Sequence, residues 1–424
     1  MHFAATRQRR LAAAVATALA VTFGSGILAA PAASGADGTP VVGSAPTELV
    51  EATPTRVPTG TIDLDTTSAL EFAFDVDGPG ARVEFSLRNT RTGNAVTWIR
   101  ELSGGRFPVG FVWDGTFSIP DPDGVYTTHA ATTGTYAWTV TASPLSGDGP
   151  GLRTSGTFAT TRTPRDHDLD ADGVFDLLAV TGEGRLTAEG SYRGNAGYSD
   201  FWGARGWDAF DRLEVAGDVA GTPHSDLVAR DRGGVLWLYR SNGGRTHEYL
   251  EPRSRVGGGW QVYRHLAGGS DLTADGRPDL VAADASGVLW LYEATGRTTA
   301  PFAPRERIGG GWQAYNQITA VGNVAGGPGG DLVARDKNGV LWLYLGKGDG
   351  TFTARERLGG GFQRYSELVG GGDWDGDGRN DLLAVEPATD TVFAFEGTGR
   401  RDEPLDLTRK ATLLFKGVEH DIYA

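Results

Sequence analysis

The feature that most constrains this chain is a repeat. The dipeptide Asp-Leu occurs at Asp176, Asp226, Asp279, Asp331 and Asp381, at spacings of 50, 53, 52 and 50 residues. After it come a turn and, in three copies, the apolar run VLWLY at 235–239, 288–292 and 340–344. A charged segment follows, PRSRV (252–256), PRERI (304–308) or ARERL (354–358), and then GGGW or GGGF at 257–260, 309–312 and 359–362. Each unit therefore holds about four strands, the content of one propeller blade. Such a unit cannot bury its apolar face alone, so the copies must stack.

VLWLY is apolar on both faces, which predicts an inner strand buried on both sides. Trp237, Trp290 and Trp342 are expected to pack between blades. The charges of RERI and RERL suit an outer edge, where they deter edge-to-edge pairing. The first copy begins at its aspartate loop with no GGGW segment before it, and the last runs on into LLFKGVEHDIYA, where such a segment would fall. The C-terminus is thus predicted to complete the first blade and close a ring. The fold class expected is all-β: an N-terminal sandwich followed by a five-bladed β-propeller over 165–424.

Residues 1–36 read as a secretory signal peptide, with Arg7, Arg9 and Arg10 ahead of the apolar stretch 11–23 and a small-residue segment after it. Gly24 and Gly26 break the apolar run too early for a membrane anchor. No later stretch is long and apolar enough to span a bilayer. The expectation is a secreted, extracellular protein with no membrane span after signal cleavage. The chain has no cysteine, so any cross-link outside the cell must be something other than a disulfide. Loss of 1–36 removes three of 39 basic residues and none of 53 acidic ones, taking the formal charge from −14 to −17. That balance excludes nucleic acid as a partner.

Residues 37–47 read as a linker. From 48 to 164 come short alternating runs such as ALEFAFDV, ARVEFSLRN and GTYAWTVTA, separated by DGPG, RTGN and DPDG. This is the signature of a β-sandwich. VWDGTF at 112–117, followed by GTYAWTVTA, resembles the Ig-like domains of the flagellar-hook-cap type, which implies an Ig-like fold.

DLDADGVFD (168–176) and DWDGDGRND (373–381) crowd carboxylates into nine residues each. Alternate residues of an extended loop point the same way, so Asp168, Asp170 and Asp172 converge. Gly173 then turns the chain, Val174 offers its carbonyl, and Asp176 enters from the next strand. Asp373, Asp375, Asp377, the Arg379 carbonyl and Asp381 map onto the same plan. A cage of five or more hard oxygens suits Ca²⁺. DLTADGRPD keeps Asp271, Asp275 and Asp279 with Thr273 at the second ligand position, a possible third site, whereas DVAGTPHSD (218–226) and NVAGGPGGD (323–331) have lost most ligands. GKGDGTF (346–352) after VLWLYL, together with these loops, resembles the FG-GAP/VCBS repeats that include the integrin α-subunit propeller. The resemblance covers about 166–424 and implies the same calcium ligands. The glycine-tryptophan turns are also similar to tachylectin-type five-bladed lectins.

For function, the leading expectation is a calcium-stabilised binding or adhesion protein for an extracellular glycan or another extracellular protein. Trp207, Trp260, Trp312 and Phe362 are the candidate stacking faces for the ligand. There is no GxSxG, HExxH or cysteine nucleophile. The alternatives are a secreted hydrolase or lyase, which predicts a polar cluster on the propeller axis, and a purely structural anchoring module.

Overall fold

The computed structural model describes residues 51–424 except 79, 121–125, 147–150, 193–194, 198–204, 223, 244–249, 390, 409–410 and 415–419. The signal and linker segments expected at 1–36 and 37–47 lie outside the described residues. Within them there is no α-helix, only strands and short 3-10 turns, and no helix is long and apolar enough to cross a membrane.

Ten strands precede the repeats, numbered in chain order: β1 (Glu51–Arg56), β2 (Thr61–Asp63), β3 (Leu70–Gly78), β4 (Ala81–Asn89), β5 (Ala95–Leu102), β6 (Gly105–Trp113), β7 (Thr116–Pro120), β8 (Tyr126–Ala130), β9 (Gly134–Pro144) and β10 (Leu152–Thr161). One sheet has the order β1-β3-β6, a second has β2-β10-β9-β4-β5, and β7 and β8 form a hairpin. Alternation decides which residues face inward. Phe72 and Phe74 on β3, Val83 and Phe85 on β4, and Tyr136 and Trp138 on β9 meet in one core shared by the two larger sheets. At the WDG turn, Asp114 accepts from the Thr116 amide at 3.1 Å, and Trp113 donates to the Thr116 carbonyl at 2.8 Å.

The repeats form five four-stranded antiparallel sheets. The first holds β11 (Asp176–Thr181), β12 (Leu186–Tyr192) and β13 (Asn195–Gly197). The second holds β14 (Phe210–Gly217), β15 (Asp226–Asp231), β16 (Leu236–Tyr239) and β17 (Ser254–Gly257). The third holds β18 (Tyr263–Ser270), β19 (Asp279–Asp284), β20 (Leu289–Tyr292) and β21 (Glu306–Gly309). The fourth holds β22 (Tyr315–Gly322), β23 (Asp331–Asp336), β24 (Leu341–Tyr344) and β25 (Glu356–Gly359), and the fifth β26 (Glu367–Gly372), β27 (Asp381–Glu386), β28 (Thr391–Phe395) and β29 (Ala411–Leu414). The last strand, β30 (His420–Tyr423), leaves the fifth sheet and pairs with β11 of the first, Ala179 opposite Tyr423 and Val180 opposite Ile422. The C-terminal segment therefore serves two sheets: β29 is the outer edge of the fifth and β30 an edge of the first.

Apolar cores lie between successive sheets. Leu213 and Val180 share one, Val228 and Leu280 the next, Val281 and Leu332 the third, Val333 and Leu382 the fourth. The fifth joins the last sheet to the first, through Leu383, Val385, Phe175 and Leu177. The cycle of cores is complete.

Trp237, Trp290 and Trp342 do pack against the cores between successive sheets, but the expectation that VLWLY buries both faces needs correction. The strands that bury both faces are those beginning Asp-Leu, such as β15, β19 and β23. The VLWLY strands bury their leucines but leave Trp and Tyr half exposed. The reason is a clamp on each indole. Trp237, Trp290 and Trp342 donate Nε1 to Asp231, Asp284 and Asp336 at 2.8, 3.0 and 3.0 Å. Arg253, Arg305 and Arg355 lie over the same rings at 4.2, 4.1 and 4.2 Å from the centroids. A cation on the ring face and an acid at its edge both favour the indole's charge distribution.

Candidate functional site

The aspartate loops share one backbone form. Their fourth residue is left-handed in every copy: Ala171, Gly221, Ala274, Gly326 and Gly376, with φ between 57° and 79°. Their last aspartate is buried in every copy and accepts from the backbone N–H of the loop's second or third residue. Its other oxygen reaches forward in four copies, to the amides of Ser241, Ala294, Gly346 and Gly397 at 3.3, 3.1, 2.9 and 2.7 Å. This aspartate thus shapes the loop whether or not cation ligands are present. In the ligand-poor copies, local polar groups fill in: the Thr222 amide donates to Asp218, and Asn323 exchanges two bonds with Gly327.

Among the described residues, two groups of three acids bring oxygens within 4.8 Å of one another: Asp168, Asp170 and Asp176, and Asp373, Asp375 and Asp377. Asp172 and Asp381, expected as ligands, are not in these groups. Asp172 accepts from the Val174 amide at 2.9 Å, and Asp381 is held by the Trp374 and Gly397 amides. Asp271, Asp275 and Asp279 form no such group; Thr273 there turns its hydroxyl onto Asp279 at 3.1 Å. In the last loop Arg379 pairs with Asp377 at 2.5 Å, as Arg277 does with Asp275 at 3.0 Å, a competitor the ligand pattern did not reveal.

The two groups sit in different surroundings. The 168–176 acids are buried, because the sandwich covers them: the Thr133 amide donates to the Ala171 carbonyl at 3.0 Å, and the Arg162 side chain lies against Gly173. Burial, then repulsion from Asp170, raises Asp168 to about 8 against the pull of Arg162. Burial, then Asp170 and Asp168, holds Asp176 far above the usual carboxylate range. In the last loop burial raises Asp375 as well, and lifts Asp381 to about 7. Hard oxygen donors converging with uncompensated charge are what a divalent cation needs, so the residues present fit calcium. Asp168, Asp170 and Asp176 would hold one ion, and Asp373, Asp375 and Asp377 another.

The candidate stacking faces do not survive. Trp207, Trp260, Trp312 and Phe362 are 7, 6, 5 and 4% exposed. Each begins a 3-10 turn and packs on Tyr239, Tyr292, Tyr344 or Phe395, at 4.8, 4.6, 4.5 and 5.2 Å between centroids. They are wedges within the cores, and none offers a sugar a free ring face.

A second constellation lies where the first strands of the repeat sheets converge, the place of the axis in a closed propeller, and residue order alone did not disclose it. The first strand of the second, third, fourth and fifth sheets carries Arg212, His265, Gln317 and Glu367 at equivalent register. Two residues on, Glu214 stands where its counterparts are Ala267, Thr319 and Val369. These strands enclose a cavity of about 180 Å³, with Glu214, Gln317 and Glu367 in its wall and His167 at the end towards the aspartate loops. Burial, then the Glu367 charge, raises Glu214 well above its ordinary range, while burial lifts Glu367 to about 7 against Arg212 and Arg335. The enzymatic alternative expects a polar cluster here.

Comparison with known proteins adds one family. Residues 330–384 match the FG-GAP-like repeat. The matched stretch runs from β23 through the 373–381 loop to β27. The chain is built on a propeller-type repeat fold. No curated protein matches it. Solved structures overlap it only loosely. Human WBSCR16 is 11% identical, covering 76% of this chain and 91% of its own, at a TM-score of 0.27. The periplasmic gluconolactonase PpgL of Pseudomonas aeruginosa is 14% identical, covering 80% and 99%, at 0.32. Apo AztD from Citrobacter koseri is 9% identical, covering 88% and 89%, at 0.27. Overlaps this shallow carry no argument about chemistry.

Proposed function

We propose that this is a secreted, calcium-stabilised binding protein: a closed five-bladed propeller over 165–424, joined to an Ig-like sandwich over 48–164, that holds an extracellular glycan or protein. The observation that carries the reading is where the two acid groups lie. Their loops belong to the first and fifth sheets, and Phe175 of one meets Trp374 of the other edge-on at 5.9 Å. This seam joins the two ends of the repeat array, and the β11–β30 pairing is its only sheet bond among the described residues. A divalent ion in each loop would neutralise repelling acids on both sides of the joint that closes the ring. Metal that binds the folded chain alone adds its binding free energy to stability.

The Ig-like part of the reading is supported by Tyr136, which opens β9 and donates its hydroxyl to the Thr132 carbonyl at 2.7 Å. Immunoglobulin-type sandwiches use such a tyrosine corner. With the aromatic wedges buried, recognition falls to the exposed loops rather than to the indoles.

The test is thermal unfolding with calcium and with a chelator, together with calorimetric titration of calcium. The expected result is a midpoint several degrees lower in chelator, restored by calcium, and two ions bound. Identical melts would remove the calcium reading. A glycan array then tests ligand class. The axial acids support a second reading, a hydrolase or lyase with Glu214 and Glu367 as its carboxylate pair; turnover on a polysaccharide panel, abolished by Glu214→Gln, would favour it.

A further inference from the structure

The axial chamber is not something the repeat requires. Wedges, clamps and loop aspartates recur from sheet to sheet, while the residues facing the axis differ in each. Arg212, His265, Gln317 and Glu367 are a cation, an imidazole, an amide and an acid at one register. All four are polar, although an apolar residue would plug the axis without desolvation cost.

What the chamber has to spare is acceptors. Gln317 is 8% exposed, and its Nε2 donates to Glu367 and, at 2.9 Å, to the Leu368 carbonyl. Its Oε1 is buried in the chamber wall with no partner. Glu214 and Glu367 repel each other there. Arg212 and Arg335 offset part of that charge, but their hydrogen bonds go elsewhere. Arg335 donates to Asn316 Oδ1 at 3.1 Å and to the carbonyls of Phe362, Tyr365 and Ser366. Arg212 donates to the carbonyls of Asp211 and Arg264 at 2.6 and 3.3 Å. Burial, then Arg212, depresses His265 to about 4, so its ring is neutral near pH 7 and brings no charge.

Two partly buried carboxylates and a bare, buried amide oxygen call for donors and positive charge together. A bare metal ion needs tighter convergence than the axis offers, since the groups of three or more acids or histidines close enough to share an ion are, among the described residues, those of the aspartate loops. An ammonium carries three donors, which carboxylate and amide oxygens about 2.7–2.9 Å away can receive, so a neutral amide oxygen such as Gln317 Oε1 can serve beside the two acids. The volume, about 180 Å³, is below the roughly 300–1,000 Å³ of clefts for drug-sized ligands.

We propose that the axial chamber binds a small, slim organic ligand through a primary ammonium group received by Glu214, Glu367 and Gln317 Oε1. The inference rests on neither calcium nor catalysis.

The test is calorimetric titration of the full chain, calcium-loaded and at physiological salt, with 1,4-diaminobutane and with the matched 1,4-butanediol. The diamine is expected to bind at least tenfold more tightly than the diol. Glu214→Gln and Glu367→Gln should each weaken it at least tenfold, while the exposed Asp349→Asn leaves it unchanged. Diol binding as tight as the diamine would make this a polyol site and overturn the proposal. So would displacement of the diamine by manganese, no binding of either probe, or equal binding to all variants. If a glutamine variant fails to fold, the diamine–diol comparison on the unaltered chain still decides.

Discussion

At the residue scale, the aspartates that look alike in the sequence do two different jobs. Asp331 sits in a loop without cation ligands, yet it is fully buried and accepts from the Val324, Ala325 and Gly346 amides at 3.2, 3.2 and 2.9 Å. Asp331→Ala leaves those donors unpaired and is expected to cost on the order of 2–3 kcal/mol, equally with calcium or chelator, by chemical denaturation. Asp375→Asn should do the reverse: little change in chelator and loss of that loop's share of the calcium effect. Equal behaviour of the two variants would mean that the loops do not divide this way. The acids also set a pH dependence. Asp168 is raised from about 3.8 unfolded to about 8 folded, so the metal-free fold binds its proton more tightly than the unfolded chain. That contribution is present in acid and is lost as pH rises between those values. Calcium needs the deprotonated acid, so its stabilisation should grow from pH 6 to pH 8, measured as the gap between midpoints with ion and with chelator. A gap that shrinks with pH would contradict the assignment. Glycine at the sixth loop position was legible as a turn, and Gly173, Gly276 and Gly378 are left-handed, at φ of 80°, 85° and 88°. The left-handed alanines, Ala171 and Ala274, were not legible, because nothing local marks an alanine as holding that conformation.

At the scale of elements, the repeat period located the strands, because each copy must present the same surfaces to its neighbours. Its account of side-chain partners was weaker. VLWLY reads as doubly buried, and the arginine that covers its indole comes from a segment 15 or 16 residues away at Trp237 and Trp290. The turn aromatics read as a ligand surface because glycine and tryptophan at a turn also suit exposure; only packing on Tyr239, Tyr292 and Tyr344 distinguishes a wedge from a platform. The axial ring could not be read at all, since Arg212 and Glu367 are far apart in sequence and meet only when strands from separate sheets converge. The C-terminal strand was legible as a missing piece of the first copy, and β30 does pair with β11. Deleting residues 420–424 removes that pairing and the bonds between Leu178 and Ala424 at 2.8 and 2.9 Å. The expected outcome is an exposed edge on β11, a markedly lower midpoint and self-association on size-exclusion chromatography. A monomeric deletion with an unchanged melt would show that the closing strand contributes nothing to the ring.

At the scale of the molecule, Thr47–Ala424 forms one compact unit, and the first aspartate loop lies where the sandwich meets the repeats. Arg91 is attracted to Asp170 and donates to the Thr133 carbonyl at 2.9 Å, while Arg162 reaches Asp65 at 3.3 Å and lies against Gly173. Each arginine therefore links the sandwich to the loop, Arg91 through its charge and Arg162 through its contact with Gly173. Even so, Asp168 stays raised beside Arg162, so these two cations leave the loop's charge only partly balanced. An ion bound there would fix the loop, and through the Thr133–Ala171 bond it would fix the adjoining turn of the sandwich as well. Among the described residues the more open 373–381 loop has no such neighbour, and its ion would act on the ring alone. Hydrogen exchange distinguishes the two. Chelation should speed exchange at both loops and also at the Thr133 amide, whose partner is the Ala171 carbonyl. It should leave the amides of β4 and β9 in the sandwich core unchanged, because local opening need not reach the strands that share that core. Faster exchange confined to the two loops would mean that the sandwich is carried beside the repeats without sensing their metal. Faster exchange throughout β4 and β9 would mean that the ion holds the whole unit together rather than one joint of it.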